Sequence, residues 1–410
     1  MQVNAPPSHQ APPPPDPQTL ADLRAHLLAD PAQIDELAEL ATRDAFDALL
    51  ELAVRLGHRL DPVTFQTALA PDLLGLERFA VLPTTATLRP GPRWLPVALG
   101  SDGAQLTVEW AHFGTAPLDQ PFFEEPLRRA RAHPVSRLLA CRTPLGNLLH
   151  EPDLQAPPRI DGLVLHMSRC GSTLVKHALA ALPGSIALSE PPPLDAVLQL
   201  CGERPDLGLD VQVALVRAMV GALTSDRAGT AQRRFIKTDC WHAASLPLLR
   251  AAFPDTPWIF LYRDPVEVLA SHAVMGGAQV MPGPHAALVG ITDPLAVPGL
   301  DFAARVLAAV CDSITDRFDS VGGGLLVDYA RLPDALFTQI LPHFGIVPDP
   351  AERAAIERVL GRDAKAPGQR FDPASRKARA DVSDEVLAAS ARHLAPALAR
   401  LRARDPDAAD

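Results

Sequence analysis

The segment that most constrains this chain runs from Leu163 to Pro183, LVLHMSRCGSTLVKHALAALP. It opens on an apolar run, Leu163-Val164-Leu165, of the kind that forms a buried strand. It then passes through Ser168-Arg169-Cys170-Gly171-Ser172-Thr173 into a helical pattern. A strand, a loop of small residues and a helix start together make an anion site. Successive backbone N–H groups converge there, and the helix dipole adds favourable potential. Gly171 lets the backbone approach the anion with no Cβ in the way. Ser172 and Thr173 add hydroxyl donors at the helix N-terminus. A tight turn with small residues for packing is the alternative reading of the same letters. The loop is not the nucleoside-triphosphate type G-x-x-x-x-G-K-[ST]. Ser172 follows Gly171, and the basic residue, Arg169, stands two places before the glycine.

A second segment has the same architecture. Trp258 to His272 reads WIFLYRDPVEVLASH, a strand followed by a helix start. Pro265 suits the first helical turn, where its missing N–H costs nothing. Arg263 stands at the strand end and Ser271, eight residues on, lies on the helix.

Together the two segments resemble the sulfotransferase superfamily, whose members use 3′-phosphoadenosine 5′-phosphosulfate as sulfuryl donor. Arg169-Cys170-Gly171-Ser172-Thr173 is similar to the family's 5′-phosphosulfate loop, [KR]-S-G-[ST]-T, with Cys170 in place of Ser. Arg263 and Ser271 match the Arg and Ser that hold the 3′-phosphate. Phe235-Ile236-Lys237-Thr238-Asp239 resembles the strand ending K-T-H, with the lysine kept and Asp239 in place of the histidine. Leu325 to Leu332, LLVDYARL, resembles the strand whose Tyr lies by the adenine, here Tyr329. The resemblance covers about 159–376. It implies a donor site of Arg169, Cys170, Gly171, Ser172, Thr173, Arg263, Ser271 and Tyr329, with no metal. It also implies catalytic roles for Arg169 and Lys237, and for one of two carboxylates as base. Glu190 follows Ile186-Ala187-Leu188-Ser189 and stands where the protein-tyrosine sulfotransferases have a base. Asp239 stands where small-molecule sulfotransferases have their histidine, and is otherwise the ion-pair partner of Lys237.

The chain has 410 residues, 47% hydrophobic, enough for two or three domains with sizeable cores. A net charge of −10 argues against general nucleic-acid binding. Five cysteines, an odd number with no C-x-x-C pair, argue against a disulfide framework or a zinc site. No apolar run reaches the length of a membrane span. The first residues, MQVNAPPSHQAPPPPDPQ, carry neither a basic nor an apolar signal region. A cytoplasmic enzyme without a membrane partner is the expectation.

Organisation follows composition. Residues 1–17 form a Pro-rich tail expected to be disordered. Residues 18–73 read as helical, with stripes at Leu20, Leu23, Leu27 and at Phe46, Leu49, Leu50, and a stop at Gly57. This region resembles the nitrogen-fixation-associated leader-peptide domain, and equally reads as a small docking bundle. Residues 74–153 read as an α+β accessory domain. Its strands are expected at Val81-Leu82-Pro83 and Trp94–Leu99, with a hairpin through Ser101-Asp102-Gly103 to Gln105–Phe113. His112, Glu124 and Glu125 there read as packing and surface residues. Residues 154–405 alternate strand and helix, hence an α/β fold: a parallel sheet with helices on both faces. Ligands bind such sheets at the carboxyl ends of the strands, so Arg169, Lys237, Arg263 and Tyr329 are expected to face one crevice. The Gly/Pro-rich stretch Met275–Gly299 is expected to be a loop on the acceptor side. Lys365, Arg370, Arg376 and Lys377 are candidates to cover the nucleotide, with a solvated linker as the equal alternative.

The function these features imply is sulfuryl transfer to an acceptor hydroxyl, on a small molecule or a peptide. The alternatives are a non-catalytic nucleotide-binding regulator and, less favoured by the missing lysine, an ATP-dependent phosphotransferase. Cys170 and His166 read as packing residues, and Lys237 as either catalytic or a surface lysine. The oligomeric state is not legible.

Overall fold

The computed structural model describes residues 16–69, 91–101, 103, 105–151, 154, 159–281, 283, 285–362 and 382–408. The expected Pro-rich tail up to residue 15, the strand at 81–83, Asp102 and the four basic residues of 365–377 lie outside the described residues. The chain forms two compact units. One takes residues 1–116 and 125–147, the other 117–124 and 148–410.

The first unit opens with four helices, Pro17–Ala29, Pro31–Glu39, Thr42–Arg55 and Pro62–Ala68. Three of them start the same way. Asp16, Asp30 and Asp61 each accept a bond from a first-turn N–H, and a proline fills the first helical position. An Asp-Pro pair satisfies one orphan donor and removes another, so each start is encoded locally. Leu23, Leu27, Leu49, Leu52 and Phe65 supply the buried stripes. Gly57 takes φ +88° just past the third helix, as a stop requires. The expected hairpin forms from β1 (Trp94–Ser101) and β2 (Leu106–His112). β3 (Cys141–Pro144), which local pattern did not reveal, pairs antiparallel with β2. Arg24 Nε donates to the Leu138 carbonyl at 2.6 Å. His112 Nε2 lies 3.1 Å from Asp35 and edge-on to Trp94. These ties cross the boundary drawn at 73/74.

The second unit is a five-stranded sheet of β4 (Gly162–His166), β5 (Ser185–Ser189), β6 (Arg233–Lys237), β7 (Trp258–Tyr262) and β8 (Gly324–Asp328). Its order is β5-β6-β4-β7-β8, and every pairing is parallel. Helices separate successive strands, so the α/β expectation holds. β4 and β7 are buried at every position, which explains their unbroken apolar runs. The first strand lies in the centre, with β6 on one side and β7 on the other. A crevice opens at such a reversal, beyond the carboxyl ends of the strands.

Met275–Gly299, expected to be a loop, carries local structure of its own. It contains three short 3₁₀ turns, Ala278–Val280, Ala287–Val289 and Pro294–Ala296. Gln279 donates to Cys240 Sγ at 2.9 Å, and the His285 ring lies 4.4 Å from that of Trp241. Those contacts supply the order that its Gly and Pro content withholds. All five cysteines are buried, and none is in a disulfide. Among the described residues, no helix is long and apolar enough to cross a membrane.

Candidate active site

The loop after β4 is bent by three left-handed residues: Ser168 at φ +77°, Arg169 at +52° and Gly171 at +82°. Two of the three are not glycine, a conformation that costs about 1–3 kcal/mol each unless the surroundings impose it. The surroundings do. The Ser168 N–H donates to His166 Nδ1 at 3.0 Å, and the Met167 N–H to the Leu261 carbonyl at 3.0 Å. Arg169 donates to the Met275 carbonyl at 2.6 Å, and its own carbonyl accepts from Arg263 at 3.1 Å. At Gly171 a Cβ would stand 2.8 Å from the Tyr329 ring and 2.9 Å from Leu332. Helix Ser172–Ala180 starts there, with Ser172 and Thr173 buried at its first turn. The Cys170 side chain is fully buried, and burial pushes its thiol up to about 12.

Lys237 ends β6 and is 2% exposed, which removes the reading of a surface lysine. Its Nζ pairs with Glu190 Oε1 and lies 3.4 Å from Ser189 Oγ. Glu190 follows β5 with φ +53°, and its N–H donates to the Lys237 carbonyl at 2.7 Å. His166 Nε2 stands 3.3 Å from the same Glu190 oxygen and 3.0 Å from the Thr238 carbonyl. Because His166 Nδ1 accepts from Ser168, its proton sits on Nε2. Burial holds the ring below the ordinary histidine range, so it is neutral. Burial pushes the Glu190 carboxyl up, but the charge of Lys237 and hydrogen bonds from His166 and Lys237 more than reverse this. Glu190 is held down to about 2.

Asp239 is not the partner of Lys237. It caps the short helix Cys240–Ser245, accepting from the His242 backbone. Burial, then the nearby charges of Glu190 and Asp195 against His242 and Lys237, pushes its carboxyl up to about 7. Asp195, Asp239 and His242 bring ligand-type atoms within 4.8 Å of one another. Their bonds belong to a capping network. Asp195 accepts from Trp241 at 2.7 Å, His242 Nε2 at 2.7 Å and Gln199 at 2.6 Å. His242 Nδ1 accepts the Asp239 N–H at 3.2 Å. Both ring nitrogens are therefore in use, and a cation there would have to displace an existing bond.

Across β4, Arg263 follows β7, and its guanidinium carbon stands over the Tyr329 ring, 4.3 Å from the centroid. Its Nε donates to Glu267 at 2.7 Å. Asp264 caps helix Pro265–Val274, accepting from the Val266 and Glu267 N–H groups. Ser271 is half-buried on that helix. Asp405 accepts from Tyr262 at 2.7 Å and from Arg331 at 2.5 Å, with 1% of its side chain exposed.

Arg169, Lys237, Arg263 and Tyr329 thus all follow strands at one end of the sheet, and Glu190 joins them. Sequence reasoning took His166 for core packing. Its position one strand-end before a polar loop was the only local signal of its hydrogen-bonding role.

No family model matches the chain, and no curated protein matches it. Among solved structures it is similar to a sulfotransferase domain from the curacin biosynthetic pathway, at 16% identity and a TM-score of 0.37, over 58% of this chain and 98% of that one. It is similar to the sulfotransferase domain of the Synechococcus PCC 7002 olefin synthase at 19% identity and a TM-score of 0.34, over 58% of this chain and 96% of that one. Sulfotransferase STF9 from Mycobacterium avium aligns at 13% identity with a TM-score of 0.36, over 53% of this chain and 73% of that one.

Proposed function

We propose that this chain is a sulfotransferase that moves a sulfuryl group from 3′-phosphoadenosine 5′-phosphosulfate to an acceptor hydroxyl on a small molecule or a peptide. The observation that carries the reading is the meeting of Glu190, Lys237 and the Ser168–Thr173 loop at the ends of three adjacent strands, β5, β6 and β4.

In this reading Arg169 and the loop amides hold the 5′-phosphosulfate, and Arg263 and Ser271 hold the 3′-phosphate with Tyr329 beside the adenine. Binding at both ends fixes the reacting sulfur in line with the acceptor. The bond from sulfur to the phosphate oxygen breaks as the bond from sulfur to the acceptor oxygen forms. The acceptor's proton passes to Glu190. Lys237 and Arg169 meet the charge that grows on the leaving phosphate. As Lys237 turns to that charge its hold on Glu190 relaxes, and the carboxylate becomes more basic.

Titration calorimetry with 3′,5′-adenosine bisphosphate tests the reading. Binding without added metal, and tighter than Mg-ATP, is expected. Equal or tighter binding of Mg-ATP would overturn it.

A further inference from the structure

The second unit includes eight residues, Pro117–Glu124, that in sequence lie between two stretches of the first. This strap is bound at two places that matter to the site. Lys176, 2% exposed on the helix that starts at the phosphate loop, donates from Nζ to the Leu118 and Gln120 carbonyls at 3.2 and 2.5 Å. The Phe123 N–H donates to the Ser189 carbonyl at 3.0 Å, one residue before Glu190, and the Phe123 side chain is 2% exposed. Between these anchors the Phe122 ring stands 5.5 Å from Lys237 Nζ. Unlike Phe123, Phe122 is only half-buried.

We propose that Phe122 is the acceptor-side wall of the site: it keeps water from the Lys237–Glu190 pair and selects acceptors whose hydroxyl is carried on an apolar body. The inference rests on the sulfotransferase reading. An aromatic face near a lysine is attracted to its charge and cannot hydrate it. Its remaining exposed surface is apolar and lies beside the pair that handles the proton. The anchors explain why the ring stays there. A flexible segment would lose the geometry, but two buried attachments fix the strap to the donor side and to the base side at once. Water is the competing acceptor. Its attack gives sulfate and the 3′,5′-bisphosphate, with the same bond broken and the proton again going to Glu190.

The test compares Phe122→Ala and Phe122→Leu with the parent chain. Three readouts are used: bisphosphate affinity, donor hydrolysis without acceptor, and transfer to naphthol beside glucose. Phe122→Ala is expected to keep bisphosphate affinity within about twofold, raise hydrolysis several-fold and lower kcat/KM for naphthol by roughly tenfold or more, the scale on which an apolar pocket discriminates. Phe122→Leu retains bulk, so its hydrolysis stays near the parent's, and it covers the case in which the alanine variant fails to fold. Unchanged hydrolysis and unchanged naphthol transfer in both variants, with the bisphosphate still bound, overturns this inference alone. A parent chain that prefers glucose overturns the apolar acceptor. A parent chain that binds no bisphosphate overturns the sulfotransferase reading and this inference with it.

Discussion

Glu190 and Lys237 are joined twice. The Glu190 N–H donates to the Lys237 carbonyl at 2.7 Å, and Lys237 Nζ closes on Glu190 Oε1. The backbone bond lies one step past the last paired residues of β5 and β6, Ser189 and Lys237. The side-chain pair is thus carried by a continuing ladder and not by a free loop. Removing one partner of a buried pair costs about 3–5 kcal/mol. The Glu190 side chain keeps 23% exposure, so Lys237→Met is expected at the lower end, about 3 kcal/mol. Glu190→Gln should cost less, because its amide oxygen still accepts from Lys237. Urea unfolding of both variants checks the order. Equal small losses would mean that the pair contributes little to stability.

The pH dependence of the rate separates the two carboxylates. Glu190 is ionised across the neutral range, whereas Asp239 is pushed up to about 7 by burial and its acidic neighbours. With Glu190 as base, the single-turnover rate stays level from about pH 8 to about pH 5, and Glu190→Gln lowers it by about 10²–10⁴ with nucleotide affinity intact. A rate that falls away below about pH 7 and is lost in Asp239→Asn would move the role to Asp239.

Stability should carry the opposite pH signatures of the same two groups. The raised value of Asp239 means that its contribution is fully present below its unfolded value and is lost as pH rises through the folded one. The depressed value of Glu190 gives stability above its unfolded value, lost as pH falls through the folded one. Asn caps helices as well as Asp. Asp239→Asn is therefore expected to raise Tm at about pH 8 and to leave it unchanged at about pH 4. No gain at the higher pH would show that the Asp239 carboxyl is not penalised by burial.

What was legible in the sequence is what depends on short spans. The β4 strand, Gly171 and the following helix lie within one continuous segment, and Arg263 with its capped helix in another. The Asp-Pro starts of three N-terminal helices are equally local, although the sequence reading placed only the helical region as a whole. What escaped depends on partners far along the chain. β3 is four residues long and carries no alternation strong enough to mark it. Ser168 and Arg169 are left-handed only because His166, Met275 and Arg263 hold them. The base role had two candidate carboxylates, Glu190 and Asp239, and spacing could not choose between them. Asp239 is turned to its own helix by the cap, a preference that the Asp239 to His242 spacing carries but that competes with the charge of the lysine.

Arg263 should matter in two ways. Its bond to a 3′-phosphate is worth about 1.5–3 kcal/mol, the usual value for a hydrogen bond to a charged group. Its bond to the Arg169 carbonyl and its stacking on Tyr329 hold the loop itself. Arg263→Ala is expected to weaken 3′,5′-bisphosphate by more than it weakens adenosine 5′-monophosphate. The residual loss with the monophosphate measures the loop-holding part, and calorimetry with both ligands separates them. Equal losses would leave only that part.

His166 can be divided by substitution. An asparagine oxygen stands near the place of Nδ1, and a glutamine nitrogen near that of Nε2. His166→Asn should keep the Ser168 bond and nucleotide affinity but lower the transfer rate. His166→Gln should keep the hold on Glu190 but weaken nucleotide binding. Equal effects on affinity and rate from both variants would reduce His166 to a space-filling role.

Asp405 has a consequence for the order of events at synthesis. Tyr262 ends β7 and Arg331 follows β8, and both deliver polar groups to this one buried carboxylate. A ribosome completes all five strands before it adds Asp405. The sheet can pair while the chain is still growing, but the Tyr262 phenol and the Arg331 guanidinium stay unmet until the segment that carries Asp405 docks. The nascent chain can therefore pair its sheet first and close the polar cluster at the Tyr262 and Arg331 edge last.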